Sequence, residues 1–364
     1  MAKKIFISAT GQDCGKTTTS LSLLHLAREK YARIGFIKPI GPKPVDWRGH
    51  RIDMDPATIA AVYGWEEKVE LMCPVVIEPG MTQQFLRGEL PVQRLEDKIL
   101  AAVRRLENEC DFLIIEGAGH SGVGAVIGLS NARVAALVGA PVMMVTGGGV
   151  GSVVDAVAMN LALYRQENAE VRALVINKLT PAKRDRTLEY LRLAFRDQNF
   201  AVLGGFNYQP ILADPTITRL ARVLNLQVQG NQQELMRIIH HVQIAAASTQ
   251  RVFDTMQDST MLIVTSSRDE LLVTLSNLYE MEEYHDKIAG LVIAGVAPVA
   301  KTTQLILDKS NIPYLRTPRT TADIFLEFTA DVSKLTAEDT EKISLIHHLA
   351  ELRYNFAEID RLFA

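Results

Sequence analysis

Short, uninterrupted apolar runs separated by amphipathic segments fill the first half of the chain. This alternation restricts the fold more than any other feature. The runs Ile5–Ser8, Ile34–Ile37, Phe112–Ile115, Val142–Val145 and Leu174–Ile176 are too short for helices and too apolar for strands with one wet face. Strands buried on both faces belong to parallel sheets. Thr17–Glu29, Val92–Asn108, Val153–Arg165 and Arg184–Arg196 carry helical periodicity and supply the crossovers that parallel strands need. The expected class is α/β, a doubly wound and mainly parallel sheet. Ser152, with Asp155 three residues on, reads as the N-cap of the third helix.

The pattern restarts after a strand and loop at Leu203–Pro210. Asp214 is the expected cap of a helix through Thr218–Leu224. Strand Met261–Val264, helix Glu270–Leu278, strand Gly290–Ile293, helix Thr302–Lys309 and strand Ile312–Leu315 then form a second, smaller α/β unit. Thr336 and Asp339 resemble a capping box ahead of a long C-terminal helix reaching Leu352. The expected division is 1–212, 213–330 and a helical tail 331–364.

At 364 residues, 48% hydrophobic and 22% charged, the chain can bury cores for two such domains. A net charge of −3 with interspersed signs lacks the basic footprint of a nucleic-acid binder. No apolar stretch approaches the roughly 18 residues of a membrane span, and the N-terminus lacks the apolar region of a secretory signal. Cys14, Cys73 and Cys110 have no metal-ligand spacing and are odd in number, so the expected compartment is the reducing cytoplasm.

Between the first strand and first helix lies SATGQDCGKTTTS, Ser8 to Ser20. A loop that opens a helix after a strand converges unpaired N–H groups and the positive end of the helix dipole on an anion. The segment Thr10, Gly11, Gln12, Asp13, Cys14, Gly15, Lys16, Thr17 and Thr18 therefore reads as a phosphate cradle. Lys16 adds a point charge for the β- and γ-phosphates of ATP, and Thr17 offers a hydroxyl to Mg2+. The usual first glycine is Thr10 here, so the strict G-x-x-x-x-G-K-[ST] pattern is not met. Cys14 is either a redox-sensitive thiol at a helix N-terminus or a small tolerated side chain.

A bound nucleotide needs an acid to hold Mg2+. In DFLIIEGAG, Asp111 to Gly119, an apolar strand ends in Glu116 with glycines after it, at the sheet edge where ligands bind. GAGHSG, Gly117 to Gly122, also fits G-x-G-x-x-G, but outside the first βα unit, which argues against a dinucleotide site. TGGGVGS, Thr146 to Ser152, lets a ligand approach or merely makes a turn. Lys38 precedes Pro39, which ends its strand, so Lys38 either reaches a phosphate or substrate anion or stands in solvent. Of Asp53 and Asp55, one can cap a helix and the other face the metal. VDWRGHR, Val45 to Arg51, reads as an exposed loop whose Arg48 and Arg51 either hold an anionic substrate or are solvated. The pairs His240-His241 and His347-His348 are adjacent on presumed helices and chelate poorly, and Glu282-Glu283 reads as a solvated face.

Together these residues resemble the dethiobiotin-synthetase-like branch of P-loop proteins. That branch includes the synthetase domains of cobyrinic acid amidation and the amino-terminal region of long bacterial phosphotransacetylases. The resemblance covers residues 3–212. It rests on the loop Thr10–Thr17, Lys38-Pro39, Asp55, EGAG at Glu116–Gly119 and VINK at Val175–Lys178. It implies that Lys16 binds phosphates and that Thr17, Asp55 and Glu116 surround Mg2+. Lys38 would balance the transferring phosphoryl group or an acceptor oxyanion, and Asn177 would contact the adenine. Lys16, Lys38 and Glu116 are then the catalytic set of an ATP-dependent enzyme phosphorylating a small carboxylate or carbamate. The same two-domain order precedes the catalytic part of phosphotransacetylases, which implies a nucleotide-sensing regulator as the alternative. The partner is a small anionic substrate in the first case and a regulated enzyme in the second, and relatives suggest a homodimer. The second half is similar to the DRTGG domain through SSRD at Ser266–Asp269, AGLVIAGV at Ala289–Val296, IPY at Ile312–Tyr314 and Thr320-Thr321. Gly295-Val296 replaces the glycine pair and Arg268 precedes Asp269, so regulation or dimer formation is expected of it.

Overall fold

The computed structural model describes residues 2–330 and 335–364. The chain divides into two compact units, Met1–Gln209 with Leu335–Ala364, and Pro210–Lys334.

In the first unit six strands form one parallel sheet: β1 Lys3–Ala9, β2 Ile34–Ile37, β3 Phe112–His120, β4 Val142–Gly147, β5 Val171–Asn177 and β6 Ala201–Gly204. Their order is β6-β5-β4-β1-β3-β2. Phe6, Leu113, Ile115, Met144 and Ile176 enter one core with Leu95, Ile99 and Val103 of the helix Val92–Glu109 and with Val153, Val157 and Tyr164 of the helix Val150–Gln166. Burial of both faces explains the uninterrupted apolar runs. Helix α1, Lys16–Ala27, follows β1, the strand between β3 and β4.

The C-terminal helices α2, Thr340–Arg353, and α3, Phe356–Leu362, belong to this unit. His347 stacks on His25 of α1 with ring centroids 4.1 Å apart, and the Phe356 ring meets Phe112 at 5.8 Å. The first residues of the tail expected at 331–364 lie outside the described residues. Asp339 takes the N–H of Thr336 at 2.8 Å, which closes a turn, and the helix starts only at Thr340.

In the second unit Val228–Gln229, His241–Ile244, Thr260–Thr265, Ile288–Ala294 and Tyr314–Thr317 form a sheet that is parallel except for the first strand. Leu262 and Val264 pack with Leu271 and Leu275 of the helix Asp269–Tyr279. Met261 and Ile263 point the other way, to Leu220 of Ile217–Leu224 and Ile324 of Thr321–Ala330.

Two expected caps belong to other residues. Thr216 caps the helix Ile217–Leu224 by accepting from the Arg219 N–H, while Asp214 pairs with His240 at 2.8 Å. Ser152 lies inside the helix that begins at Val150 and donates back to the Gly149 carbonyl at 2.9 Å. The Val45–Arg51 segment is not a loop. Pro44–Trp47 and His50–Asp53 pair as a hairpin across Arg48 and Gly49, whose φ values of 48° and 83° suit the tight turn. His241 opens a strand rather than continuing a helix.

Candidate functional site

The sheet brings the predicted residues to the carboxyl ends of β1, β3 and β2. Thr10 continues from β1: its N–H donates to the Val145 carbonyl at 3.0 Å and its hydroxyl meets that of Thr146 at 2.7 Å. A threonine at the usual glycine position thus ties the loop to β4, a bond glycine cannot make. Gln12 and Asp13 are exposed, and Asp13 and Gly15 take φ of 54° and 96° before α1 begins at Lys16. Alternating hands in this way turns successive N–H groups into one concavity, the geometry of an anion nest. Among the described residues, no side chain accepts from the N–H groups of residues 11–17. A Cβ on Gly15 would lie 2.7 Å from Nδ2 of Asn177, so the loop approaches the end of β5 as only glycine allows.

Glu116 faces the cradle. It is fully buried and accepts from the Thr17 hydroxyl at 3.0 Å and the Ser20 hydroxyl at 2.6 Å. β3 runs on past it to His120, and its register with β1 shifts between Ile7 and Ala9, so Glu116 is not the last residue of the strand. Ser20 was not singled out from the sequence. Its position three residues beyond Thr17 puts both hydroxyls on one helix face, and that spacing was the available signal.

Lys38 leaves the end of β2 and is buried against two aspartates. Its Nζ lies 2.8 Å from Oδ1 of Asp53 and also contacts Oδ2 of Asp55. Asp53 also caps the helix Met54–Tyr63 by accepting the Asp55 N–H at 3.0 Å, and it takes the Lys43 N–H at 2.9 Å. The capping task thus falls to Asp53, while the Asp55 carboxylate meets Lys38.

The groups are electrostatically one cluster. Burial pushes Glu116 up, Asp55 adds to the rise, and Lys38, the Ser20 hydrogen bond and Lys16 oppose it. Burial works against the Lys38 ammonium, but Asp55, Asp53 and Glu116 outweigh it and hold its pKa above the ordinary lysine value. Burial depresses Lys16, against the pull of Glu116 and Cys14. Asp53, Asp55 and Glu116 bring three carboxyl groups together beside Lys38 and Lys16. Among the described residues no three His, Cys, Asp or Glu side chains gather as a metal cage. Mg2+ fits this donor set, because it is held by one or two carboxylates and phosphate oxygens rather than by an all-protein cage. Thr17, Asp55 and Glu116 would hold it.

The Asn177 amide is engaged within the protein. Nδ2 donates to the Cys14 carbonyl at 3.3 Å and Oδ1 accepts from the Phe206 N–H at 2.8 Å. Cys14 is half-buried, with its sulfur 3.5 Å from the Gln12 carbonyl. Gly117 has no room for a side chain beside Asn131, which bonds Ala118 on both its N–H and carbonyl. Gly149 is the N-terminal flank of the helix Val150–Gln166. Arg48 and Arg51 of the hairpin pair with Glu66 and Glu78 farther along the chain. No helix among the described residues is long and apolar enough to cross a membrane.

Phosphate acetyltransferase of Nitratidesulfovibrio vulgaris is 23% identical over 321 residues, which is 86% of this chain and 44% of that protein. The ATP-dependent dethiobiotin synthetase BioD of a Caulobacter species is 30% identical over 181 residues, 48% of this chain and 75% of the relative. Cobyric acid synthase of Pelotomaculum thermopropionicum is 30% identical over 215 residues, 52% of this chain and 41% of the relative. The chain thus spans less than half the length of the phosphate acetyltransferase it matches. A DRTGG domain matches residues 219–327. The AAA domain model AAA_26 matches residues 3–231, and the chain belongs to that P-loop family.

Proposed function

We propose that the first unit binds Mg-ATP and transfers its γ-phosphoryl group to a small carboxylate or carbamate. The observation that carries this reading is the buried cluster of Lys38, Asp53, Asp55 and Glu116 around the helix opened by Lys16. The N–H groups of the loop and Lys16 would hold the phosphates. Mg2+, when bound, supplies charge neutralisation at the β- and γ-oxygens. Lys38 would balance charge on the transferring group or the acceptor oxygen. The acceptor oxygen forms a bond to the γ-phosphorus as the bond to the bridging oxygen breaks, giving ADP and a mixed anhydride. Positioning and fixed charge suffice for this, and no covalent protein intermediate is needed.

A second reading is favoured by one observation: the phosphate acetyltransferase relative aligns with most of the chain, across both units. On that reading the chain senses nucleotide and acts on a partner enzyme. A homodimer in the cytoplasm is the expected assembly on either reading.

The test is Mg-ATP binding and ADP release by the purified protein, with and without a panel of small carboxylates and carbamates. Acceptor-dependent ADP release supports phosphoryl transfer. Tight binding without turnover across the panel supports the sensor. Lys16→Ala should weaken Mg-ATP binding at least about a hundredfold, given the charge-assisted contacts it removes. Wild-type affinity in that variant would remove the phosphate-loop assignment.

A further inference from the structure

Asn177 holds the phosphate loop, and its amide is oriented from the other end by Phe206, which no motif of the site includes. Nδ2 donates to the Cys14 carbonyl at 3.3 Å and lies 3.5 Å from the Thr19 hydroxyl, which itself donates to the Gly15 carbonyl at 2.8 Å. Oδ1 accepts from the Phe206 N–H at 2.8 Å. That bond decides which end of the amide meets the loop, because a flipped amide would set two donors against each other in a buried place. The turn that carries Phe206 is pressed close: a Cβ on Gly205 would fall 2.1 Å from Oδ1. Gly204 and Gly205 bring no side chains, so the Phe206 ring is the first side-chain anchor after β6.

This anchor rests on the C-terminal segment. Tyr354 closes α2, and its ring meets that of Phe206 with centroids 5.5 Å apart and planes tilted by 40°. Asn177, Phe206 and Tyr354 are all buried. A ring contact at the end of the chain thus fixes the turn whose N–H fixes Asn177. We infer that Tyr354 is a positioning residue of the nucleotide site, acting through Phe206 and Asn177 to hold the phosphate loop at Cys14. What the loop binds rests on the Mg-ATP reading; the hold on the loop does not.

Cys14 supplies a readout that needs no nucleotide, because it is half-buried whereas Cys73 and Cys110 are buried. Its rate of alkylation by N-ethylmaleimide, followed by mass spectrometry of the Cys14 peptide, reports opening of the loop. Tyr354→Leu should raise that rate about fivefold, the size of one weakened hydrogen bond. Tyr354→Phe keeps the ring and should stay within about twofold of wild type. Asp360→Asn loosens the same segment at Lys3, Lys30 and Tyr31, away from Phe206, and should also stay within about twofold. In a Phe206→Leu background Tyr354→Leu should add less than about twofold, as residues acting in series do. ATP affinity, measured with Mg2+ and again with EDTA, should fall about fivefold in both arms of Tyr354→Leu and leave the gain due to Mg2+ unchanged. A wild-type alkylation rate in Tyr354→Leu overturns the inference. So does an equal rise in Tyr354→Phe or Asp360→Asn, or a full effect in the Phe206→Leu background. Unchanged ATP affinity, or a fall confined to the Mg2+ arm, overturns it as well. Should Tyr354→Leu fail to fold, Tyr354→Met is read by the same measures. If wild type binds ATP in neither arm, the Mg-ATP reading itself fails, and the alkylation rates alone decide the positioning claim.

Discussion

Ser20 donates its hydroxyl to Oε2 of Glu116 at 2.6 Å, one helical turn beyond Thr17, which donates to Oε1 at 3.0 Å. The acid is thus clasped by two hydroxyls of the helix that the phosphate loop opens. Burial, and then Asp55, raise its pKa above the ordinary carboxylate value. A raised folded value places this group's stabilising contribution below the unfolded carboxylate pKa and removes it as pH rises. Ionising Glu116 in the folded protein therefore works against the fold.

The neutral isostere should separate fold from function. Glu116→Gln keeps an acceptor for one hydroxyl and offers its amide N–H to the oxygen of the other, so at pH 7 it should unfold in urea at the wild-type midpoint or above it. The same variant should lose most of the Mg2+ gain in ATP affinity. A fall in midpoint together with a retained Mg2+ gain would reverse both halves of this expectation.

Gly15→Ala should act through geometry alone. The residue has φ of 96°, and a Cβ there would meet Asn177 Nδ2 at 2.7 Å. A side chain in this left-handed region costs about 1–2 kcal/mol before any clash is counted. The loop must shift to relieve the contact, which breaks the Asn177 bond to the Cys14 carbonyl. The expected result is a protein destabilised by about 1–3 kcal/mol with ATP affinity reduced in both Mg2+ and EDTA. Calorimetric melting and titration of the same sample check both.

The glycine and lysine of the loop were legible because their chemistry is local: a strand, a turn and a helix N-terminus lie within a few residues. Glu116 was legible because an apolar run met an acid and then glycines. The hairpin that carries Asp53 was not, because its strands are four residues each and only weakly alternating. Their pairing depends on the Arg48–Gly49 turn and on ion pairs from Arg48, His50 and Arg51 to Glu66, Glu70 and Glu78, far enough along the chain to leave no local trace. The caps misassigned to Ser152 and Asp214 failed for a related reason. Both types cap well, but a competing residue two or three positions away matched the observed helix start. The C-terminal helix was visible as a helix, yet its place on α1 depends on contacts such as His25 with His347 that periodicity does not encode.

That C-terminal attachment makes acid stability measurable at Asp360. Its carboxylate takes Lys3 at 2.6 Å, Lys30 at 2.5 Å and the Tyr31 hydroxyl at 2.5 Å. Burial works against the charge, but the Lys3, Lys30 and Tyr31 hydrogen bonds outweigh it and lower the pKa to about 2. A lowered folded value gives stability that is present above the unfolded pKa of about 4 and lost as pH falls towards 2. Asp360→Asn should therefore cost about 2 kcal/mol at pH 7 and nothing near pH 2. Denaturant unfolding of the two proteins across that range gives the difference curve.

His347 gives a second pH dependence, at milder acidity. Its ring lies parallel to that of His25, and its Nε2 is buried with no hydrogen-bond partner among the described residues. Burial lowers its pKa to about 4, and the nearby His25 and Arg28 reinforce the shift against Glu351. The unfolded chain therefore takes up a proton near pH 6.5 that the folded chain refuses until about pH 4. Stability from this residue is complete above the first value and is lost as pH falls between the two, by on the order of 2 kcal/mol once partial exposure is allowed for. His347→Phe keeps a flat ring on His25 and removes the proton site. The variant should be less pH-sensitive than wild type between pH 4.5 and 6.5, with the two proteins converging in slope above pH 7. Equal slopes across that range would assign the acid sensitivity to other groups and leave the stacked pair a packing contact only. Because His25 lies on the helix that Lys16 opens, ATP affinity measured at pH 5.5 in both proteins shows whether loosening this contact reaches the phosphate loop: wild type should weaken relative to pH 7.5 more than His347→Phe does.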